Sequence, residues 1–106
     1  MFSLKNKTAL ITGASGGIGQ EIGLFMYKRG AFVILSGTNE IKLKSLCQKM
    51  PSRSTYIIAN LAKKEDILKL SSEAETINSG VDILINNAGI TKDNLFIRTK
   101  ENDVGV

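Results

Sequence analysis

The stretch TGASGGIG at residues 12–19 decides the fold, because of what stands on each side of it. Before it, residues 7–11 form a short apolar and β-branched run that is typical of a buried strand. After it, apolar residues recur at helix spacing as far as Met26, and Gly30 follows as a helix stop. A glycine-rich turn that joins a strand to a helix is a common phosphate-binding arrangement, so the stretch predicts a nucleotide site.

Each glycine of this turn has its own predicted task. Gly13 lets the chain turn sharply off the strand, and Gly17, without a side chain, lets a pyrophosphate approach the backbone. Gly19 is expected to let the helix pack closely on the sheet. The helix N-terminus offers unpaired N–H groups and the positive end of its dipole, and Ser15 adds a hydroxyl donor. A flexible turn without a ligand is the alternative, but the flanking strand and helix favour a nucleotide site.

The same alternation continues along the chain. Further strand-like runs occupy residues 31–35, 55–59 and 81–85, and the intervening segments repeat apolar residues at helix spacing. The predicted order is βαβαβαβ. Buried apolar strands alternating with amphipathic helices indicate an α/β, Rossmann-type, doubly wound parallel sheet with helices on both faces. About four strands and three helices are visible, whereas a complete sheet of this type has about six strands.

Composition excludes several classes of function. The 106 residues carry a net charge of +4, spread without a block, which favours a solvated surface over nucleic-acid binding. Histidine is absent and Cys47 is the sole cysteine, so we expect no disulfide, no metal site and no Ser-His-Asp arrangement. Cys47 is predicted to be a small core residue. No signal peptide or membrane-spanning run is visible, and we expect a cytoplasmic protein that does not bind membranes.

Two motifs together make the chain recognisable. TGASGGIG, followed by NNAG at residues 86–89, resembles the short-chain dehydrogenase/reductase family. The segment at residues 89–95, with Arg98 and Lys100 after it, looks like the 3-oxoacyl-[acyl-carrier-protein] reductases of bacterial fatty-acid synthesis. The resemblance covers the whole chain but about the first half of a typical member. Residues 1–106 would then be the N-terminal part of a single NAD(P)-binding Rossmann domain.

The resemblance implies positions for a cofactor. Residues of the glycine turn would hold the diphosphate and the neighbouring ribose, and Asn60 with Leu61 would touch the adenine, where an asparagine amide can both donate and accept. The NNAG motif would brace the sheet and line the ribose and nicotinamide side. The residues expected to bind the cofactor are therefore Gly13, Ser15, Gly17, Ile18, Gly19, Gly37, Thr38, Asn60, Leu61, Asn86, Ala88 and Gly89.

The end of the second strand bears on the choice of cofactor. An acidic residue there normally binds the ribose 2′-hydroxyl of NAD, but Gly37 or a neighbour takes that place and the first acid is Glu40. The missing carboxylate permits a 2′-phosphate, to which Ser36, Thr38 and Asn39 could donate hydrogen bonds. We therefore expect NADP(H).

The resemblance also implies what this stretch of sequence lacks. The family's catalytic Ser, Tyr-x-x-x-Lys and further Asn are expected beyond Val106, because Tyr27 is followed four residues later by Ala31 and Tyr56 by Asn60. The 106 residues alone are expected to be an inactive fragment. An acyl carrier protein thioester would be the substrate of the full-length family, which is expected to form homotetramers. A nucleotide-binding remnant without turnover and a reductase of another carbonyl or alcohol are the alternatives.

Overall fold

Strands and helices alternate along residues 2–88, the part of the chain that the computed structural model describes. The elements have these bounds: β1 Thr8–Thr12, α1 Gly17–Lys28, β2 Phe32–Gly37, α2 Glu40–Gln48, β3 Ser54–Ile58, α3 Lys64–Thr76 and β4 Ile83–Asn86. The prediction of a βαβαβαβ chain with four strands and three helices is confirmed. No helix within these residues is long and apolar enough to cross a membrane.

The four strands form one parallel sheet in the order β3-β2-β1-β4. β1 is central: Ile11 lies beside Leu35 of β2, and Thr12 lies beside Asn86 of β4. The chain steps outward from β1 to β2 and β3, and then returns to the other side of β1. Such a reversal opens a crevice at the carboxyl ends of the strands, which is where ligands bind in open α/β sheets.

Side chains that alternate along the strands feed two apolar layers. On one face, Ile11 and Leu35 pack with Leu43 and Leu46 of α2 and with Met26 of α1. On the other face, the strand residues pack against α3, in a cluster that includes Leu10, Ile34, Ile57, Ile67 and Leu70. Helices therefore cover both faces of the sheet, as a doubly wound fold requires.

The face that α1 buries combines two glycines with one large side chain. Its buried positions are Gly19, Gly23 and Met26, whereas Ile18 is 69% exposed and Phe25 is 48% exposed. The apolar repeat identified the helix, and Ile22 and Met26 of this repeat pack on the core, but Ile18 and Phe25 do not mark the buried face. Gly23 lies against the sheet, where an added Cβ would stand 3.1 Å from Cδ2 of Leu35. A close helix–sheet approach needs small side chains at the contact.

The fourth strand begins later than the apolar run at residues 81–85 predicts. The strand itself starts at Ile83, and Asp82 just before it is hydrogen-bonded to the start of β1. The Asp82 Oδ2 accepts the Thr8 N–H at 2.8 Å, and the Asp82 N–H donates to the Thr8 carbonyl at 2.8 Å.

Cys47, predicted to be a core residue, is half-buried beside the α1–α2 layer, and burial raises the pKa of its thiol.

Candidate functional site

A cavity of about 600 Å³ lies at the carboxyl ends of the strands. Loops after all four strands contribute to its wall, and its volume is within the usual range for ligand sites. The lining residues are Gly13, Ser15, Gly16, Ser36, Gly37, Thr38, Ala59, Asn60, Leu61, Ala62 and Ala88. Seven of the twelve positions predicted from the sequence are among them. None of the lining residues is charged.

The first glycine of the turn allows a close approach between two loops. Gly13 has a φ of 63°, and a Cβ added there would lie 2.9 Å from the Ala88 Cα. Both the left-handed backbone and the lack of space exclude a side chain. The turn after β1 can therefore lie directly against the segment after β4.

Gly19 also allows a close approach, but not the one that the sequence predicts. A Cβ there would overlap the Gly13 carbonyl oxygen and would lie 2.8 Å from the Ala14 Cα. The first turn of α1 thus packs on the glycine turn itself, and Gly23 makes the contact with the sheet. Space around a Gly17 Cβ is open, with no other atom within 4 Å.

The start of α1 has no side-chain cap. Gly16 is the N-cap residue, and the first turn holds no acidic side chain. The N–H groups of such a turn, with the positive end of the helix dipole, suit an anionic ligand. Gly17 and Ile18 are exposed in this turn. Together with Gly19 and Asn86, they do not line the cavity itself.

A hydrogen-bonded chain holds the ends of β1 and β4 together. The Thr12 hydroxyl donates to the Asn86 Oδ1 at 2.9 Å and accepts the Ala88 N–H at 3.2 Å. The Asn87 amide donates to the Gly13 carbonyl oxygen at 3.3 Å. Asn86 therefore braces the sheet, as predicted, through Thr12, which is fully buried. Neither Thr12 nor Asn87 was among the predicted site residues.

Ser15 connects the glycine turn to the loop after β2. Its Oγ accepts the Asn39 N–H at 3.3 Å and occupies the space that a Gly37 Cβ would need. Packing against Ser15 therefore favours glycine at position 37. The same glycine leaves the end of β2 without an acidic side chain. A serine hydroxyl that accepts one hydrogen bond still has its own proton to donate. Ser15 consequently keeps the donor function that the sequence predicts.

Ser36 supplies a polar group that nothing in the described chain satisfies. Its hydroxyl oxygen is buried and has no hydrogen-bond partner within residues 2–88. Ser36 lines the cavity. A buried hydroxyl without a partner is costly, so Ser36 is an incompletely satisfied part of the cavity wall within the described residues.

Asn60 is held in place by its own loop. Its N–H donates to the Asp66 Oδ2 at 2.7 Å, and its Oδ1 accepts the Ala62 N–H at 2.9 Å. The side-chain oxygen is therefore engaged, and the amide nitrogen is the group left for a ligand. Asp66, at the start of α3, is a third residue that the sequence did not identify. Its carboxylate fixes the loop that forms the Asn60–Leu61 wall.

The first acid after β2 does not line the cavity. The Glu40 Oε2 accepts a hydrogen bond from the Tyr56 hydroxyl at 3.0 Å, and this bond raises the pKa of Tyr56. Within residues 2–88, no carboxylate lies at the end of β2 or elsewhere in the cavity wall. Gly89, Arg98 and Lys100 fall outside the described residues. Within residues 2–88, no cluster of potential metal ligands is present.

Known proteins are similar to this chain in sequence and in fold. Nodulation protein G of Rhizobium sp. (strain N33) is 46% identical over 103 residues, which are 97% of this chain and 42% of that protein. The 3-oxoacyl-[acyl-carrier-protein] reductase FabG of Rickettsia felis is 50% identical, over 97% of this chain and 41% of the reductase. The chain thus spans about two fifths of the length of these curated relatives.

A solved structure of a short chain dehydrogenase/reductase family protein matches with a TM-score of 0.74 at 32% identity. The match covers 83% of this chain and 36% of that one. A family model described as short chain dehydrogenase matches residues 7–105, nearly the full length of the sequence. The sheet order and the glycine turn of this chain agree with these matches. The chain therefore belongs to the short-chain dehydrogenase/reductase family.

Proposed function

We propose that the cavity at the carboxyl ends of the strands binds NADP(H), and that the chain is the nucleotide-binding part of a carbonyl reductase. The observation that carries this proposal is the part of the cavity wall formed by residues 2–88, which combines a glycine turn and an unsatisfied Ser36 hydroxyl and includes no carboxylate. The identity with family members supports it. When bound, the reduced nicotinamide supplies a hydride to a carbonyl carbon.

The chain's own residues would bind and orient the nucleotide. The glycine turn and the uncapped start of α1 would hold the diphosphate. Asn60 and Leu61 would form the wall for the adenine, with Asp66 fixing their loop. Thr12 and Asn86 would hold the turn against the end of β4, so that the cavity keeps its shape before the nucleotide arrives.

The preference for NADP can be tested at Thr38, which is exposed and lines the cavity. Thr38→Asp would place a carboxylate near the position proposed for the 2′-phosphate. Like charges at this range repel, so we expect NADP⁺ to bind about tenfold more weakly and NAD⁺ to bind almost as before. Isothermal titration of the unmodified chain should give tighter binding of NADP⁺ than of NAD⁺.

Thr38→Asn is the matched control, because it is polar, similar in size and uncharged. It should leave the ratio of the two affinities nearly unchanged. Tighter binding of NAD⁺ by the unmodified chain would overturn the NADP preference. An equal loss of both nucleotides in Thr38→Asp would show that the substitution disturbs the cavity and not the 2′-phosphate.

We further propose that the substrate is a 3-oxoacyl thioester carried by an acyl carrier protein. The similarity to the 3-oxoacyl-[acyl-carrier-protein] reductase of Rickettsia felis, at 50% identity, supports this choice. The net charge of +4 suits an acidic partner. Nodulation protein G is about as similar, so reduction of a different carbonyl compound is the second candidate. A homotetramer and a cytoplasmic location stay predictions.

A measurement of NADPH oxidation distinguishes a chain that only binds the nucleotide from an active reductase. Neither Tyr27 nor Tyr56 has a lysine four residues later. We therefore expect the 106 residues to bind NADPH but not to oxidise it above background with a 3-oxoacyl thioester, as followed by nicotinamide absorbance. A purified family member that carries Tyr-x-x-x-Lys is the positive control. Thioester-dependent oxidation by the 106 residues would contradict the expectation.

A further inference from the structure

We propose that the opposite edge of the sheet carries a second ligand site, which binds a small anion of the phosphate type. A cavity of about 430 Å³ lies there, at the amino-terminal ends of the strands. It shares no lining residue with the nucleotide cavity. The lining residues are Lys5, Asn6, Lys7, Thr8, Gly30, Phe32, Arg53 and Asn78. Three of them are cationic, and none is a carboxylate.

Arg53 is held in a fixed position in this cavity by uncharged groups of the described residues. Its Nη1 donates to the Ala31 carbonyl at 2.7 Å and to the Tyr27 carbonyl at 3.1 Å. Its guanidinium carbon lies 4.1 Å from the centre of the Tyr27 ring. The side chain is part-buried, and no carboxylate within residues 2–88 pairs with it. Two backbone carbonyls and an aromatic ring therefore position the Arg53 side chain without an anionic partner from the described residues.

The two carbonyl contacts leave most of the guanidinium unused. Arginine has five N–H donors, and the Nη1 contacts engage two of them. The three on Nη2 and Nε have no protein partner within residues 2–88. A planar donor group of this kind suits phosphate oxygens, which it can bind in a bidentate way.

A purely structural role for Arg53 explains part of these contacts. Its Nη1 links the end of α1 to the start of β2, and a cation is favourable at a helix C-terminus. That role needs neither a cavity nor further positive charge. Lys5 nevertheless adds an exposed ammonium group to the wall, and Asn6 and Asn78 add amides. Cationic donors that converge on a concave wall concentrate anions.

The test is a titration of the ¹⁵N-labelled 106-residue chain with inorganic phosphate at constant ionic strength. We expect saturable shifts of the backbone amides at residues 5–8, Arg53 and Asn78, separate from any shifts in the glycine turn. Lys5→Gln should weaken this binding about two- to fivefold, as expected for one exposed charge. Arg53→Lys keeps the charge but loses the planar donors, and should weaken it further.

Lys44→Gln is the control, because it removes one exposed positive charge from α2 and lines neither cavity. It should bind phosphate as the unmodified chain does. Shifts that do not saturate, that occur at the glycine turn alone, or that weaken equally in Lys5→Gln and Lys44→Gln would overturn the proposal. Equal saturation by acetate would indicate a carboxylate ligand and would overturn it as stated. None of these outcomes depends on nucleotide binding.

Discussion

Gly19→Ala is expected to lower the free energy of unfolding by about 1–3 kcal/mol, or more, and to abolish nucleotide binding. The added methyl group would overlap the Gly13 carbonyl oxygen and would stand 2.8 Å from the Ala14 Cα. Both neighbours are backbone atoms of a turn that is already held against Ala88 and cannot move aside cheaply. Urea unfolding followed by circular dichroism measures the loss of stability.

Gly17→Ala is the matched control, two residues earlier in the same helix turn. A methyl group there meets no other atom within 4 Å. Alanine is also the better helix former, so stability should stay the same or rise by up to about 1 kcal/mol. Nucleotide affinity should nevertheless fall, because the methyl group would stand where the diphosphate is proposed to approach. Equal stability of Gly19→Ala and Gly17→Ala would show that the close packing at Gly19 is not required.

Thr12→Val is the second substitution with a large expected effect. Valine keeps the shape of the fully buried side chain but removes the hydroxyl that joins Asn86 to Ala88. Leaving these groups without a partner should cost about 1–3 kcal/mol. We also expect weaker nucleotide binding, because the glycine turn and the end of β4 would no longer be held together.

Thr12→Ser separates the hydroxyl from the packing. It keeps both hydrogen bonds and loses one buried methyl group, at a cost of about 0.8 kcal/mol. Its nucleotide affinity should stay close to that of the unmodified chain, while that of Thr12→Val falls. If the two variants bound NADP⁺ equally well, the hydrogen-bonded chain through Thr12 would not be what shapes the cavity.

Local sequence was enough to predict the elements and much of the cavity wall. The apolar run at residues 31–35 indicates a buried strand, and Gly13 marks a sharp turn in which a side chain does not fit. These signals are local, because strand and helix periodicity and turn chemistry act over a few residues. The position of the cavity follows from the sheet order, which βαβ handedness largely dictates.

Contacts between segments that are distant in the chain could not be predicted from the sequence. Thr12 and Asn86 are 74 residues apart, and nothing in either segment indicates which oxygen accepts which proton. Asp82 interrupts an apolar run, and its carboxylate accepts the Thr8 N–H, a contact that the sequence does not indicate. Glycines were equally ambiguous: Gly19 and Gly23 both suit close packing, and only the placement of α1 decides which meets the turn and which meets the sheet.

The central place of β1 in the sheet constrains the order in which the molecule assembles during synthesis. Its pairing with β2 joins near neighbours in the chain, but its pairing with β4 must close a loop of more than seventy residues. Long closures are entropically costly and tend to come late. The Thr12 hydroxyl acquires its partners only when β4 pairs, whereas the Gly13 carbonyl, which already accepts the Gly16 N–H, gains a second donor. A nascent chain still lacking β4 would therefore expose an unbraced turn, and cofactor binding would have to wait until β4 is in place.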